Sequence, residues 1–438
     1  MFYTKPVIAI YFLELKQEIK ILIMERYLRS FANHSDYTAF TGTSEFVKPN
    51  VSLCQQEMEV HYNPDAKPYL TFTATEAGTF KLSGNSVDYS LDNGVSWTTL
   101  ASDTASPTVP AGSSIMWKAT LTPTSSIGIG RFSSTGSFVA EGNPMSLLYG
   151  DNFNDQTDLT GKNYAFRYLF SGCTRLTSAE NLSLPATTLA VSCYYSMFHR
   201  CTSLTTAPSL PATTLATSGY AYMFYYCTSL STAPELPATT LADYCYSYMF
   251  SCCTSLITVP NMSITPSAFS IDYMFSECTS LVNINYMLIS QTGGLCGEKV
   301  FSYCTSLVDA SNLTIKSTST INASQMFYYC QSLQISPIID GSFTHSTGRA
   351  SSGALLFGGF AMFGGCSQLK RITYLGTTLG GYYDGDMPYT YYQYSYSWVS
   401  GVASTGTFIK KAGVAITYEG SSACGGNTIP CNWTIVEQ

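Results

Sequence analysis

Charge is what this sequence has least of. Lysine, arginine, aspartate and glutamate together supply 11% of its 438 residues, against roughly 25% in an ordinary soluble domain. Acidic residues outnumber basic ones by 28 to 21, for a net charge of −7. A nucleic-acid surface needs clustered Lys and Arg to displace counterions from phosphates, so nucleic acid is excluded as a partner. Histidine is scarcer still: His34, His61, His199 and His345 are scattered along the chain. Tetrahedral zinc asks for closely spaced pairs of ligands; Cys252 and Cys253 are adjacent, and Cys424 with Cys431 lacks a second pair. No metal, cofactor or catalytic residue is therefore expected.

Long apolar runs are missing too. A bilayer span needs about 20 predominantly apolar residues, and the nearest candidate, 7–23, is interrupted by Glu14, Lys16, Glu18 and Lys20. No small-residue cleavage site follows, so the segment reads as neither a span nor a signal peptide. It is expected to be an amphipathic helix, or else an extension ahead of a chain that starts at Met24. Nothing resembles a coiled-coil heptad, which leaves a homo-oligomer possible without a zipper to build it.

With so little charge, the surface must be made of Ser, Thr, Asn, Gly and Tyr, and tyrosine occurs 33 times. The 15 cysteines would suggest disulfides in a small secreted domain, but here their number is odd and the chain is long. Most recur at one position of a repeat, which marks them as buried, reduced thiols acting as small apolar residues. Cys424 and Cys431 flank a Gly/Pro loop and are the two that could pair. The repeat reads F-x-x-C-x-x-L eight times, on Cys173, Cys201, Cys227, Cys253, Cys278, Cys304, Cys330 and Cys366, separated by 28, 26, 26, 25, 26, 26 and 36 residues. A fixed period in the twenties is the signature of a stacked repeat.

Within one copy, Leu241, Cys245, Met249 and Cys253 are spaced by four, which predicts one stripe of a helix. Thr254–Pro260 is β-prone and proline-terminated, which predicts one short strand per repeat. Such a unit cannot bury an apolar face alone, so neighbours must stack. The prolines Pro208, Pro211, Pro234 and Pro237 close the strands. About ten extra residues before Cys366 must loop outward. The expected fold is an α/β repeat solenoid of leucine-rich-repeat type with about eight rungs.

Four regions follow. Residues 1–66 hold a helical start and an extended, proline-bounded attachment segment. Residues 67–143 alternate with period two, as in Leu70, Phe72 and Ala74, then Val87, Tyr89 and Leu91, then Ile115, Trp117, Ala119 and Leu121, which predicts a small antiparallel β-sandwich. Asn93-Gly94 suits a tight hairpin. Residues 144–380 are the solenoid, and 381–438 a Tyr-rich C-terminal cap.

The segments MFHRCTSLTTAPSLPATTLA (197–216), MFYYCTSLSTAPELPATTLA (223–242) and MFSCCTSLITVP (249–260) resemble the BspA-like leucine-rich-repeat family, as does the ending WVSGVASTGTFIKKAG (398–413). The likeness spans roughly 144–375. It implies a non-enzymatic adhesion or recognition protein on a bacterial surface or a phage particle. The segment 36–66 is similar to attachment regions of phage virion proteins. The implied partners are a host cell-surface glycan or protein and, through the N-terminal segment, other virion proteins. The implied localisation is the virion, with the bacterial cell surface as the alternative.

Four candidate sites arise. His199 beside Cys201 could form a nucleophilic dyad, but seven equivalent cysteines lack the histidine, so that cysteine is expected to be structural. Ser90-Leu91-Asp92-Asn93-Gly94-Val95-Ser96-Trp97 resembles the Asp-box of sialidases, a hairpin device in which Asp92 accepts turn amides. Asp151–Asp158 could hold calcium but lacks the Gly and Glu of an EF-hand loop, so a polar turn is expected. Tyrosine is the fourth. Tyr220, Tyr222, Tyr225, Tyr226, Tyr244, Tyr246 and Tyr248 are expected to cover the outer face of the repeats. Tyr382, Tyr383, Tyr389, Tyr391, Tyr392, Tyr394, Tyr396 and Trp398 crowd together and are expected to be the ligand-binding cluster, since Tyr offers rigid area and a polar tip.

Overall fold

A residue period of four cannot keep one face on an α-helix. At 3.6 residues per turn each step of four drifts by about 40°, so three steps carry a side chain about 120° away. Yet Leu241, Cys245, Met249 and Cys253 are all buried. The repeats resolve this by being non-helical: the expected helix is a chain of tight turns with a true period of four. The only helical segments among the described residues are the single turn Ser146–Tyr149 (α1) and the 3₁₀ turn Gly150–Asn152.

Backbone geometry shows how. In one rung Tyr244, Tyr248 and Cys252 have φ of 57°, 56° and 62°, four residues apart. The residue before each ladder cysteine is left-handed in every rung, as Gly172, Arg200, Tyr226, Cys252, Glu277, Tyr303, Tyr329 and Gly365. Amides then alternate. Ser247, Met249 and Ser251 donate three residues back, to Tyr244, Tyr246 and Tyr248, while Tyr246, Tyr248 and Phe250 donate to Ser270, Asp272 and Met274 of the following rung. A non-glycine left-handed residue costs about 1–2 kcal/mol, and it persists here because two hydrogen-bond sets over-determine it.

The computed structural model describes residues 69–291, 297–321, 323–342, 345–349, 355–357, 359, 361–379, 398–418, 429–430 and 432–438. Residues from 66 onward form one compact unit and 1–65 another; the expected N-terminal helix and attachment segment, and both Cys424 and Cys431, lie outside the described residues.

The region after residue 69 is antiparallel. Leu70–Ala74 (β1), Phe80–Ser83 (β2), Val87–Ser90 (β3), Thr98–Leu100 (β4), Ser114–Lys118 (β5), Arg131–Ser134 (β6) and Phe138–Glu141 (β7) follow in order. One sheet runs β4-β3-β5-β1-β7, and β2 pairs with β6 in a second. Phe80 and Phe132 of the second sheet pack on Phe72 and Trp117 of the first, with centroids 4.8 to 6.4 Å apart. The alternation was legible for Leu70, Phe72, Ala74, Ile115 and Trp117, all buried, but Leu91 is 50% exposed because β3 ends at Ser90. Asn93 and Gly94 do take positive φ of 58° and 87°, within a longer loop, 91–97, rather than a two-residue hairpin.

This region is continuous with the repeats, since β7 pairs in parallel with Leu176–Ser178 (β8) of the first rung. The expected strand at 254–260 shrinks to a single residue, Thr258, which bridges in parallel to Thr232 on one side and Asn283 on the other. Longer strands develop beyond it. Met262–Ile264 (β9), Met287–Gln291 (β10), Leu313–Thr320 (β11) and Ile335–Ser342 (β12) pair in parallel. His345–Arg349 (β13) and Leu355–Phe357 (β14) form an antiparallel pair in the insertion before Cys366. Arg371–Tyr374 (β15) rejoins the parallel sheet, which continues through Gly406–Lys410 (β17) and Trp433–Glu437 (β19), while Thr378–Leu379 (β16) pairs with Thr417–Tyr418 (β18). The described part of the C-terminal region therefore extends the parallel sheet by two strands.

Two side-chain columns hold the rungs together. Phe170, Phe198, Phe224, Phe250, Phe275, Phe301, Phe327 and Phe363 stack in sequence with centroids 5.4 to 5.6 Å apart. Beside them each ladder thiol from Cys201 onward donates to the carbonyl of the preceding rung's phenylalanine at 3.0 to 3.2 Å, as Cys253 does to Phe224.

Gly172 distinguishes the turn spiral from a helix by sign. Its φ is 75° and an added Cβ meets nothing within 4 Å. In a helix Gly172→Ala would stabilise by roughly 1 kcal/mol; here it should destabilise by about 1–2 kcal/mol, read from the midpoint of urea unfolding.

Candidate recognition site

The alignment of rungs turns each repeat position into a column along the stack. Two residues before the ladder cysteine, the column reads Ser171, His199, Tyr225, Ser251, Ser276, Ser302, Tyr328 and Gly364. Three consecutive serines between Tyr225 and Tyr328 leave a trough where neighbouring rungs carry rings. It has a volume of about 260 Å³. One side is the column of Tyr248, Tyr273, Lys299 and Gln325; the other holds Glu277 and Tyr303.

The tyrosine side is a ladder. Tyr222, Tyr248 and Tyr273 stack at 4.6 and 4.4 Å, with ring planes within 9° of each other. Lys299 ends it, its ammonium 4.9 Å above the Tyr273 ring and donating to the Tyr273 hydroxyl at 2.7 Å. That hydroxyl donates on to Glu298 Oε1 at 3.2 Å, which lies 3.5 Å from the same ammonium. On the floor the Ser276 and Ser302 hydroxyls are 2.8 Å apart. Burial raises the tyrosine hydroxyls above their usual range, so at neutral pH they are donors.

Beneath the trough Asp272 Oδ1 accepts the amides of Gly297 and Glu298 at 2.8 and 3.0 Å. Burial, with Glu298 adding to it, pushes Asp272 up to about 7, against an ordinary 3.8, even though the two amides pull it down.

Other candidates fall elsewhere. Trp398 is a correction: it is 4% exposed and packs on Phe363 and Tyr374, where it fills the core beyond the Cys366 rung instead of presenting a binding face. Tyr382, Tyr383, Tyr389, Tyr391, Tyr392, Tyr394 and Tyr396 lie outside the described residues. Among the repeat tyrosines, Tyr220 and Tyr246 are core, stacked with Tyr194; Tyr222, Tyr225, Tyr226, Tyr244 and Tyr248 do reach the outer face.

His199 stacks on Tyr225 at 5.4 Å and meets Ser171 Oγ at 3.4 Å. Cys201 donates to Phe170 instead, and burial raises its thiol far above the usual range. The Asp-box folds the 91–97 loop. Asp92 accepts the Ser96 amide and the Ser90 and Ser96 hydroxyls at 2.6 to 2.9 Å, which holds it down at about 2. Trp97 Nε1 donates to Gly94 O at 3.1 Å. In the acidic turn, Asp151 binds Lys118 and Tyr69 while Asp158 binds Thr160. Among the described residues no three His, Cys, Asp or Glu gather as metal ligands, all described cysteines are free and buried, and no helix is long and apolar enough to cross a membrane.

A parallel stack of short rungs with one leucine and one cysteine repeated at fixed positions defines a leucine-rich-repeat architecture. Residues 165–270 and 246–347 match the BspA type leucine rich repeat region in six copies. The family is consistent with adhesion or recognition at a surface. No curated protein and no solved structure gives a match.

A carboxyl that is easier to protonate when folded weakens the fold as it ionises. The Asp272 contribution is therefore favourable below about 3.8 and is lost as pH rises to about 7. Asp272→Asn keeps an oxygen for both amides, and its melting temperature should fall less than that of the parent between pH 5 and pH 8. Equal falls would remove Asp272 as the cause.

Proposed function

We propose that the chain is a non-enzymatic recognition protein: a leucine-rich-repeat solenoid on a β-sandwich base, displayed on a phage virion as a fibre or decoration protein and binding a host-surface glycan or protein. The observation that carries this reading is the trough itself, an open groove of tyrosine rings and serine floor. Of the carboxyls near it, Asp272 holds backbone amides and Glu298 faces Lys299 and Tyr273, while Glu277 stands exposed at the rim with no second carboxyl lining the trough beside it. Such a surface offers contact area and hydrogen bonds without a poised acid–base pair. The ladder thiols support assembly in a reducing cytoplasm, because as buried S–H donors they stabilise the stack in reduced form. Residues 1–66 would attach the chain to other virion proteins.

A second reading, an exported adhesin of the bacterial surface, is favoured by the BspA-type match. Proteomics of purified particles and of host envelopes separates the two. The virion reading expects the chain in particles; recovery in the envelope alone, with a processed N-terminus, contradicts it. The shared recognition reading expects labelled full-length protein to bind host cells saturably, and it is lost if no binding occurs.

A further inference from the structure

The trough's chemistry narrows what can lie in it. Resting on the recognition reading above, we propose that it is a binding site for a neutral, extended oligosaccharide lying along the stack axis.

Length comes first. From Tyr225 to Tyr328 is five rungs and four spacings, about 20 Å at the ~4.8 Å separation of parallel chains. The rung spacing of about 4.8 Å is of the order of the rise per sugar in an extended β-linked pyranose chain, so such a chain lying along the axis places roughly one sugar on each rung. Each rung sets a small side chain on the floor, the buried Ser251, Ser276 and Ser302, whose Ser276 and Ser302 hydroxyls bond each other. Each also sets a polar side chain at the side, from Tyr248, Tyr273, Lys299 or Gln325, of which Tyr273 and Lys299 are committed to the network with Glu298. Tyr225 and Tyr328 supply rings at the two ends against which the C–H faces of terminal sugars pack.

A peptide fits poorly, for two reasons. The lining has no aliphatic side chain and no Phe or Met, so an apolar anchor has no pocket to fill. Nor is there an open strand edge for an extended peptide to extend: the amides of Ser251, Ser276 and Ser302 donate three residues back, and those of Tyr248, Tyr273 and Tyr303 donate to the next rung.

Charge excludes acidic sugars. The cation of the trough, Lys299, already serves the Tyr273 hydroxyl and Glu298, and the exposed Glu277 adds a negative charge at the rim. An anionic ligand would have to break the first and face the second.

Ser276→Tyr tests this with the residue that the same column carries at Tyr225 and Tyr328, so the rung has a precedent for it. Full-length protein is titrated by calorimetry with neutral tetraoses (β-linked glucose, N-acetylglucosamine and galactose) and with a sialic-acid tetraose. The expected result is binding of at least one neutral tetraose, at least tenfold weaker for the matching disaccharide and for Ser276→Tyr, with no sialic-acid binding. Should Ser276→Tyr lower the melting temperature, Gln325→Ala and Tyr328→Ala replace it, each expected to weaken binding severalfold. No binding of any neutral tetraose overturns the proposal, as does binding indifferent to these substitutions or shared equally by the anionic tetraose. Cell binding by the parent that survives Ser276→Tyr would sink the trough alone and leave the recognition reading standing. Failure of the parent to bind cells would sink that reading instead.

Discussion

The structure depends on each rung's registration against the one before it. A thiol that donates to the phenylalanine carbonyl of the preceding rung fixes the stacking partner to within a bond length, and the Phe column beside it repeats the constraint with rings at 5.4 to 5.6 Å. Each S–H bond is weak, on the order of 0.5–1 kcal/mol, but it recurs at seven rung junctions and admits only a small side chain with a donor. Serine would fit by size but would bring a more strongly hydrated hydroxyl into an apolar core; cysteine satisfies both demands. With the rungs in register, half of the turn amides find carbonyls on a neighbour. The left-handed residues become tolerable only because of that.

Much of this could be read from residues alone. The period, the parallel stacking, the reduced cysteines and the hairpin role of Asp92 all rest on spacing and side-chain chemistry that context does not change. The helix did not survive. Four-residue spacing over a dozen residues matches both a helix and a four-residue turn spiral, and the discriminating fact was in view: Leu241, Cys245, Met249 and Cys253 recur at a strict four, where a helix would need an occasional three. Tyr, Arg and Glu at left-handed positions gave no warning, because those residues rarely go there. The continuation of the sheet through Gly406–Lys410 and Trp433–Glu437 was hidden because those rungs lack the cysteine motif. Trp398 was misplaced for a related reason, since tyrosine-rich surroundings suggested a surface while the last rungs still needed an aromatic to fill their core.

The trough was legible only after alignment. Tyr225, Ser251, Ser276, Ser302 and Tyr328 are far apart in sequence, and nothing singles them out until they share a column. A repeat framework thus separates two tasks. Phe, Cys and Leu positions are bound to the stack, whereas the positions one, two and five before the cysteine vary from rung to rung at little cost to it. Recognition can be rewritten on that face without disturbing what holds the rungs.

Whether the rungs hold one another can be measured by residue-resolved native-state hydrogen exchange on Phe275→Ala. The amides of Tyr246, Tyr248 and Phe250 are bound to the Phe275 rung, whereas those of Ser247, Met249 and Ser251 are bound within their own. If neighbours carry the fold, the first set should lose protection well before the second, in an alternating pattern one rung away from the substitution. Uniform protection across 246–251, or loss confined to the substituted rung, would contradict it.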